Sequence, residues 1–409
     1  MRILICPHLM EIGGSQLNAV ELAARVAGAG HEVVLFGPDG ELLSRVQELG
    51  LEYHRAPVEN SWPSRRNIAR LVSLVRERRF DLVHGYEWGP VTDLAYGPHL
   101  LLGTPMVATV LSMDVPDFLP RHVPLVVGTR ELAASSRARY PGVRLMEPPI
   151  DTELNAPAGN RMAARRGFGV DGDDLLVSVV CRLTTDLDKV QGVLEAIAVV
   201  ETLAAQSPVR LLVAGDGPSL GDVRDAAEAV NRRTGRRTVI VAGALLDPRA
   251  AYEAADVVLG MGSSALKGMA FAKPLVVQGT NGFWHLLTPG NAATFLEQGW
   301  FGAGCGDGVH RLHAELARLL PDAAERDRLG AFGRRLVTER FSLSEAAVHT
   351  EQLYRQTVAL RRSPLGRLRA LARPAVEVAK FKAVMTSPTL RSWAARRGAA
   401  QTAPLAVAR

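Results

Sequence analysis

Two cations seven residues apart, Arg182 and Lys189, follow the apolar run Leu175–Val180, with Lys189 at the expected start of a helix. An arginine gripping two oxygens and a lysine acting as a point charge, set at a strand end and a helix N-terminus, form a natural diphosphate clamp. Taken alone, two surface cations explain the pair equally well. Gly13-Gly14 stands in the loop Pro7–Gln16, again just ahead of a helix, where missing side chains let a ligand reach the backbone amides. The spacing is not GxGxxG, so no dinucleotide fingerprint is present, and a tight turn is the simpler account. His8 precedes those glycines, while His84 ends another strand and Glu87 follows it, so all three point to the edge where open α/β sheets bind ligands. His8, His84 and Glu87 are candidate ligand contacts, against the plainer roles of structural histidine and solvated loop acid. Asp186-Leu187-Asp188 has the spacing of paired carboxylates that hold a divalent ion against a diphosphate. It lies between Arg182 and Lys189, whose charges make a metal unnecessary, and none is expected.

The elements that must position these residues are legible as alternation. Apolar runs at Ile3–Cys6, His31–Phe36, Leu82–His84, Met106–Leu111, Leu125–Val127 and Val143–Met146 predict strands buried on both faces. Helical segments fit between them, the first over Gln16–Ala29. The stretch Pro148–Arg161, rich in proline and small residues, reads as a linker. Alternation then restarts with strands at Leu175–Val180, Val209–Ala214, Val239–Ala242, Val257–Leu259 and Leu275–Val277. Helices are predicted at Val190–Leu203, Gly221–Arg232, Ala324–Glu339 and Leu343–Leu360. The result is an α/β chain of two wound units, with expected divisions at 1–155, 156–345, a closing helix over 346–362 and a tail over 363–409.

Apolar residues make up 47% of the chain, enough for two sizeable cores. Cys6, Cys181 and Cys305 are far apart with no CxxC pair, which argues against a disulfide framework or a zinc site. Met1–Cys6 is too short an apolar run for a signal peptide, and no uncharged stretch approaches the ~20 residues of a membrane span. A cytoplasmic enzyme is expected. The net charge of +6 is uneven: residues 361–409 hold eleven Arg or Lys and one acid, so the remainder is net −4. Within that tail Leu365, Leu368, Leu371, Val376, Phe381 and Val384 recur at roughly helical intervals among cations. A basic amphipathic segment of this kind rests on the domain, lies on an anionic membrane surface at its cytoplasmic face, or binds a partner. Nucleic acid is not expected, because no reader fold accompanies the charge and Trp393 is one of only two aromatics there.

Arg182-Leu183, Lys189 and Glu195-Ala196 resemble the Gly-Arg-Leu, Lys-Gly and Glu-Ala segment of the retaining family 4 glycosyltransferases. Further segments follow in matching order: Gly13-Gly14, Asp81-Leu82-Val83-His84, Glu147–Asp151, Ala214-Gly215-Asp216-Gly217-Pro218, Tyr252–Asp256 and Gly268–Val276. The similarity runs from about residue 3 to residue 358, and its strength lies in the collinearity of individually modest matches. It implies the GT-B architecture, two Rossmann-like doubly wound domains facing a cleft, here with a basic C-terminal helical tail.

The resemblance further implies transfer of a sugar from a nucleoside diphosphate sugar, with retention and without metal or other cofactor. The acceptor would be a lipid-linked saccharide, a cell-wall glycan or a secondary metabolite. Donor contacts carried over are Gly13, Gly14, Arg182, Lys189, Gly215, Gly262, Ser263, Ser264 and Lys267. Arg182 and Lys189 would also stabilise the leaving diphosphate, and Asp114 falls where related enzymes place a histidine near the reacting centre. The pattern departs from the family at its two donor-site glutamates. The second falls on Lys267; the first has no counterpart, because the loop ahead of it is shorter. Gly260-Met261-Gly262-Ser263-Ser264 stands there instead, similar to the short loop of the UDP-GlcNAc transferases of peptidoglycan synthesis, with Ser263 as the expected N-cap. Lys267 suits an acidic sugar or a different nucleotide contact. Asn281–His285 replaces the family's glycine-rich donor loop, and its aromatics either stack on the ligand or pack inside. Loss of the carboxylates also leaves two alternatives, an inactive sugar-nucleotide-binding or scaffold protein and a nucleotide-sugar epimerase.

Overall fold

The computed structural model describes residues 1–57, 62–112, 114–170, 174–360 and 362–387; Met113, within the stretch aligned to the family histidine, and the tail from residue 388, with Trp393, lie outside them. The chain divides into two compact units, Met1–Pro148 with Leu343–Arg409, and Pro149–Ser342. The expected boundary after residue 155 therefore moves to Pro148. Ile150 explains the shift, because its amide donates to the Phe341 carbonyl (2.9 Å), and the Arg334 guanidinium donates to the carbonyls of Thr152 and Asn155 (both 2.9 Å). These bonds tie the linker to the second unit. At the other end, the chain from Leu343 onward returns to the first unit.

Unit 1 is a seven-stranded parallel sheet in the order β3-β2-β1-β4-β5-β6-β7. Its strands are β1 (Arg2–Cys6), β2 (Glu32–Gly37), β3 (Glu52–Arg55), β4 (Leu82–Tyr86), β5 (Met106–Val110), β6 (Leu125–Val127) and β7 (Val143–Leu145). β3 escapes the sequence reading because it is a sheet edge: Glu-Tyr-His-Arg is half exposed and lacks the apolar run of a central strand. Ile3, Leu4 and Ile5 of β1 are wholly buried, since helices cover both faces. The Leu343–Ala359 helix adds Leu343, Ala346, Ala347 and Tyr354 to the core holding Ile3, Ile5 and Val20.

Unit 2 has the order β10-β9-β8-β11-β12-β13. Its strands are β8 (Leu175–Val180), β9 (Val209–Ala214), β10 (Val239–Gly243), β11 (Val257–Gly260), β12 (Leu275–Gln278) and β13 (Trp284–Leu286). All are parallel except β13, which returns antiparallel to β12. β13 is a three-residue strand where the sequence predicts none.

The tail forms a helix, Pro364–Thr386, started by proline in its first turn and capped by the Ser363 hydroxyl, which accepts from the Gly366 amide (3.1 Å). It docks on unit 1 through Leu371, Pro374 and Val378, while Phe381 stacks on Trp62 (5.5 Å) and leans on Phe118 (5.1 Å). Among the described residues no helix is long and apolar enough to cross a membrane.

Candidate active site

In each sheet the strand order reverses once, and that switch is where loops part to leave a crevice beyond the carboxyl ends of the strands. In unit 2 the switch lies at β8, between β9 and β11. The loop leaving β8 carries Arg182 and ends at Lys189, the first residue of the Lys189–Ala204 helix; the loop leaving β11 enters the Gly262–Ala270 helix. Neighbouring strands thus bring the cations and the second helix N-terminus to one edge. The Ser264 hydroxyl fastens them, donating to the Val180 carbonyl at the end of β8 (2.6 Å) beside the Tyr252 hydroxyl (3.1 Å).

The position of Lys189 is built by an unusual turn. Leu187 and Asp188 both adopt left-handed backbone (φ 53° and 55°), a conformation costing roughly 1–2 kcal/mol per non-glycine residue. The end of β12 and the loop after it hold the turn: the Asn281 amide donates to the Asp188 carboxylate (2.8 Å), and the Gln278 side-chain amide donates to the Asp188 and Lys189 carbonyls (both 3.2 Å). A Cβ on Gly192 would sit 2.0 Å from the Gln278 amide nitrogen, so a side chain there would displace Gln278 from these bonds. Asp188, half of the Asp-x-Asp triplet, is therefore committed to the turn. The hold of Gln278 and Asn281 on this turn is not legible in the sequence, because it spans some ninety positions. Burial pushes the Cys181 thiol up to about 12, opposed by the charge of Lys189.

Gly215 and Gly217 owe their identity to backbone packing. A Cβ on Gly215 would fall 1.8 Å from the Cys181 carbonyl oxygen, and one on Gly217 2.4 Å from that of Leu183. The turn lies flat on the Arg182 loop, with the Leu183 amide donating to the Asp216 carbonyl (2.8 Å). Gly215 thereby positions Arg182.

At the Gly262–Ala270 helix the N-cap is Met261, so Ser263 falls in the first turn and is not the cap expected from sequence. The Gly262 amide donates to the Trp300 carbonyl (3.0 Å). Helix geometry then leaves the Ser263 and Ser264 amides without intrahelical acceptors, facing outward from a positive dipole end. Lys267 is half-buried one turn on, close enough to Asp247 to help the Arg249 guanidinium hold that carboxyl below its usual range.

The aromatics of Asn281–His285 pack inside. Trp284 is buried, donating its indole N–H to Glu195 (2.7 Å), and Phe283 packs edge-on to Phe295. Among the described residues no group of three His, Cys, Asp or Glu could hold a metal ion.

In unit 1 the switch falls between β1 and β4. Gly13, in extended backbone, and Gly14 open the Gly14–Gly28 helix. Glu87 corrects the expectation of a ligand contact: it is buried, with φ 63°, and its carboxylate accepts from the Ser15 hydroxyl (2.8 Å), the Leu111 amide (2.9 Å) and the Ser112 hydroxyl (2.8 Å). It binds three loops together. His84 is corrected too. The ring is buried, bonded to the Tyr354 hydroxyl and the Thr109 hydroxyl (both 2.7 Å), and burial lowers its pKa to about 3. Both ring nitrogens are thus engaged inside the sheet.

His8 differs. It is half-buried at the exit of β1, and its Nδ1 is buried without a hydrogen-bond partner among the described residues. Burial lowers its pKa, against the charges of Glu87 and Glu11. Asp114 is half-buried, its carboxyl raised by desolvation; its charged neighbours are Arg139 and Asp117 rather than His8 or Glu87.

Two family models match the chain: a glycosyl transferase 4-like domain over residues 13–147 and glycosyl transferases group 1 over residues 175–322. Together they span more than half of it. The chain is a family 4-like glycosyltransferase. Solved structures share its fold. A glycosyltransferase from Rickettsia africae is 13% identical with a TM-score of 0.69, covering 87% of this chain and 98% of its own. The Anabaena HepE protein in complex with UDP-glucose gives 14% and 0.68, covering 88% and 100%. Sucrose-phosphate synthase from Thermosynechococcus elongatus gives 17% and 0.65, covering 88% and 99%. At these identities the likeness is one of fold, the two-unit GT-B architecture. No curated protein matches the glycosyltransferase significantly in sequence.

Proposed function

We propose that this glycosyltransferase takes its sugar from a nucleoside diphosphate sugar whose diphosphate is held in unit 2 by Arg182, Lys189 and the amides of Ser263 and Ser264. The supporting observation is the switch at β8, where Ser264 fastens one helix N-terminus to the end of the strand that carries the cations. Breaking the anomeric bond puts negative charge on the departing phosphate. Fixed cations and helix amides stabilise that charge without reorganising. The HepE structures with UDP and UDP-glucose support a uridine nucleotide as the first donor to try.

The reaction proceeds without metal, because Arg182, Lys189 and the helix amides neutralise the departing diphosphate. No cofactor beyond the nucleotide sugar is required. Transfer retains the anomeric configuration, the departing phosphate taking the acceptor's proton. The acceptor is a saccharide, free or lipid-linked, and His8 in unit 1 is its contact. Lys267 favours a donor bearing an acidic sugar, since it brings a cation where a carboxylate would repel one.

A thermal-shift panel of nucleotide sugars, including uronic acid donors, identifies the donor, because a bound ligand stabilises the native state by mass action. Transfer with that donor is then followed by NMR, with and without EDTA. Loss of activity in EDTA, or an inverted product, would overturn the corresponding step. A panel without any stabilising donor would overturn the clamp.

A further inference from the structure

The C-terminal helix has two apolar faces, and the fold uses one of them. Leu371, Pro374, Val378 and Phe381 recur at helical spacing and turn into unit 1. A second row, Leu365, Leu368, Ala372 and Val376, advances by steps of three and four along the other side and remains in solvent. Its larger members, Leu365, Leu368 and Val376, are 54%, 56% and 54% exposed. Beside it runs a row of exposed cations, Arg369, Arg373 and Lys380, of which only Lys380 has an acid of this helix as partner, Glu377 at 2.9 Å. Five cations stand against one acid over Pro364–Thr386, and the sequence beyond adds four arginines and no acid. Leu101, 61% exposed in the Leu100–Leu102 turn that this helix packs against, extends the apolar surface.

A helix that has already buried one face against its domain needs no second apolar row for folding. Leucines and valine clustered in solvent mark an interaction surface. Cations flanking that row choose between occupants: an apolar stripe bordered by arginines matches the boundary of acyl chains and anionic headgroups. We propose that the outer face of the Pro364–Thr386 helix docks the enzyme on an anionic lipid surface.

The test is sedimentation of the full-length protein with vesicles of phosphatidylcholine and phosphatidylglycerol, and with phosphatidylcholine alone, over a range of salt. The parent should bind the mixed vesicles, release them as salt rises, and leave the neutral ones in solution. Arg369→Glu/Arg373→Glu should weaken binding at least about 25-fold, taking roughly fivefold for each cation lost. Leu368→Ser/Val376→Ser should weaken it as well. Both variants alter side chains that face solvent, so their thermal unfolding and donor binding should match the parent. Equal binding to both vesicle types overturns the proposal, as does no binding to either, the result expected if a protein occupies the face. A charge-reversed variant that binds as well as the parent also overturns it, because attachment would then lie elsewhere on the chain.

Discussion

Replacing His84 separates a structural histidine from a catalytic one. In the native state burial holds its pKa near 3, against about 6.5 in the unfolded chain. The unfolded chain therefore takes up a proton that the folded one refuses, and unit 1 loses stability as the pH falls from about 6.5 toward about 3. Each pH unit in that window costs about 1.4 kcal/mol, so the loss reaches about 3 kcal/mol by pH 4. His84→Gln keeps an amide between the Tyr354 and Thr109 hydroxyls but does not titrate. At pH 7.5 the variant should be less stable by about 1–3 kcal/mol, the cost of imperfectly satisfied buried hydroxyls. Between about pH 6 and pH 4 its stability should fall less steeply than the parent's, by about 1.4 kcal/mol per pH unit. His8, His99 and His122, whose pKa values are also lowered by burial, are common to both proteins and cancel in the comparison. Native-state hydrogen exchange of β1 and β4 reads unit 1 alone, which matters because a two-unit chain need not unfold in one transition. Turnover by the folded variant should equal the parent's. Parallel stability curves together with a lost or pH-shifted turnover would refute the reasoning and return His84 to the reacting centre.

Arg182→Ala and Lys189→Ala should each weaken donor binding roughly 10- to 100-fold, the worth of one charge-assisted contact, as read by calorimetry; unchanged affinity would sink the clamp. Gly215→Ala forces a methyl to within 1.8 Å of the Cys181 carbonyl. It should cost at least about 2 kcal/mol in thermal unfolding and lower donor affinity with it. Glu87→Ala strands the Ser15 and Ser112 hydroxyls and the Leu111 amide, so unit 1 should lose about 3 kcal/mol by hydrogen exchange, with acceptor KM raised more than donor KM.

The sequence by itself determined the alternation of elements and hence the fold. Strands buried on both faces must be apolar throughout, so Leu125–Val127, Leu175–Val180 and Val209–Ala214 stand in the structure as their apolar runs predict. Edge strands lack that requirement, which is why β3 was silent. The cations of the proposed clamp were legible because strand end, cation and helix start are local features. Which titratable groups face a ligand was not local. Glu87 follows β4 directly, as the sequence indicates, whereas His84 lies mid-strand rather than at its end; Tyr354, far along the chain, closes over His84, and Ser15 and Ser112 converge on Glu87. The tail shows the same division. Its helical period can be read in the residues, but period alone cannot say which of two apolar faces is turned inward. Packing against Trp62 and Phe118 decided that, because an aromatic cluster assembled from distant segments exists only once the chain has folded.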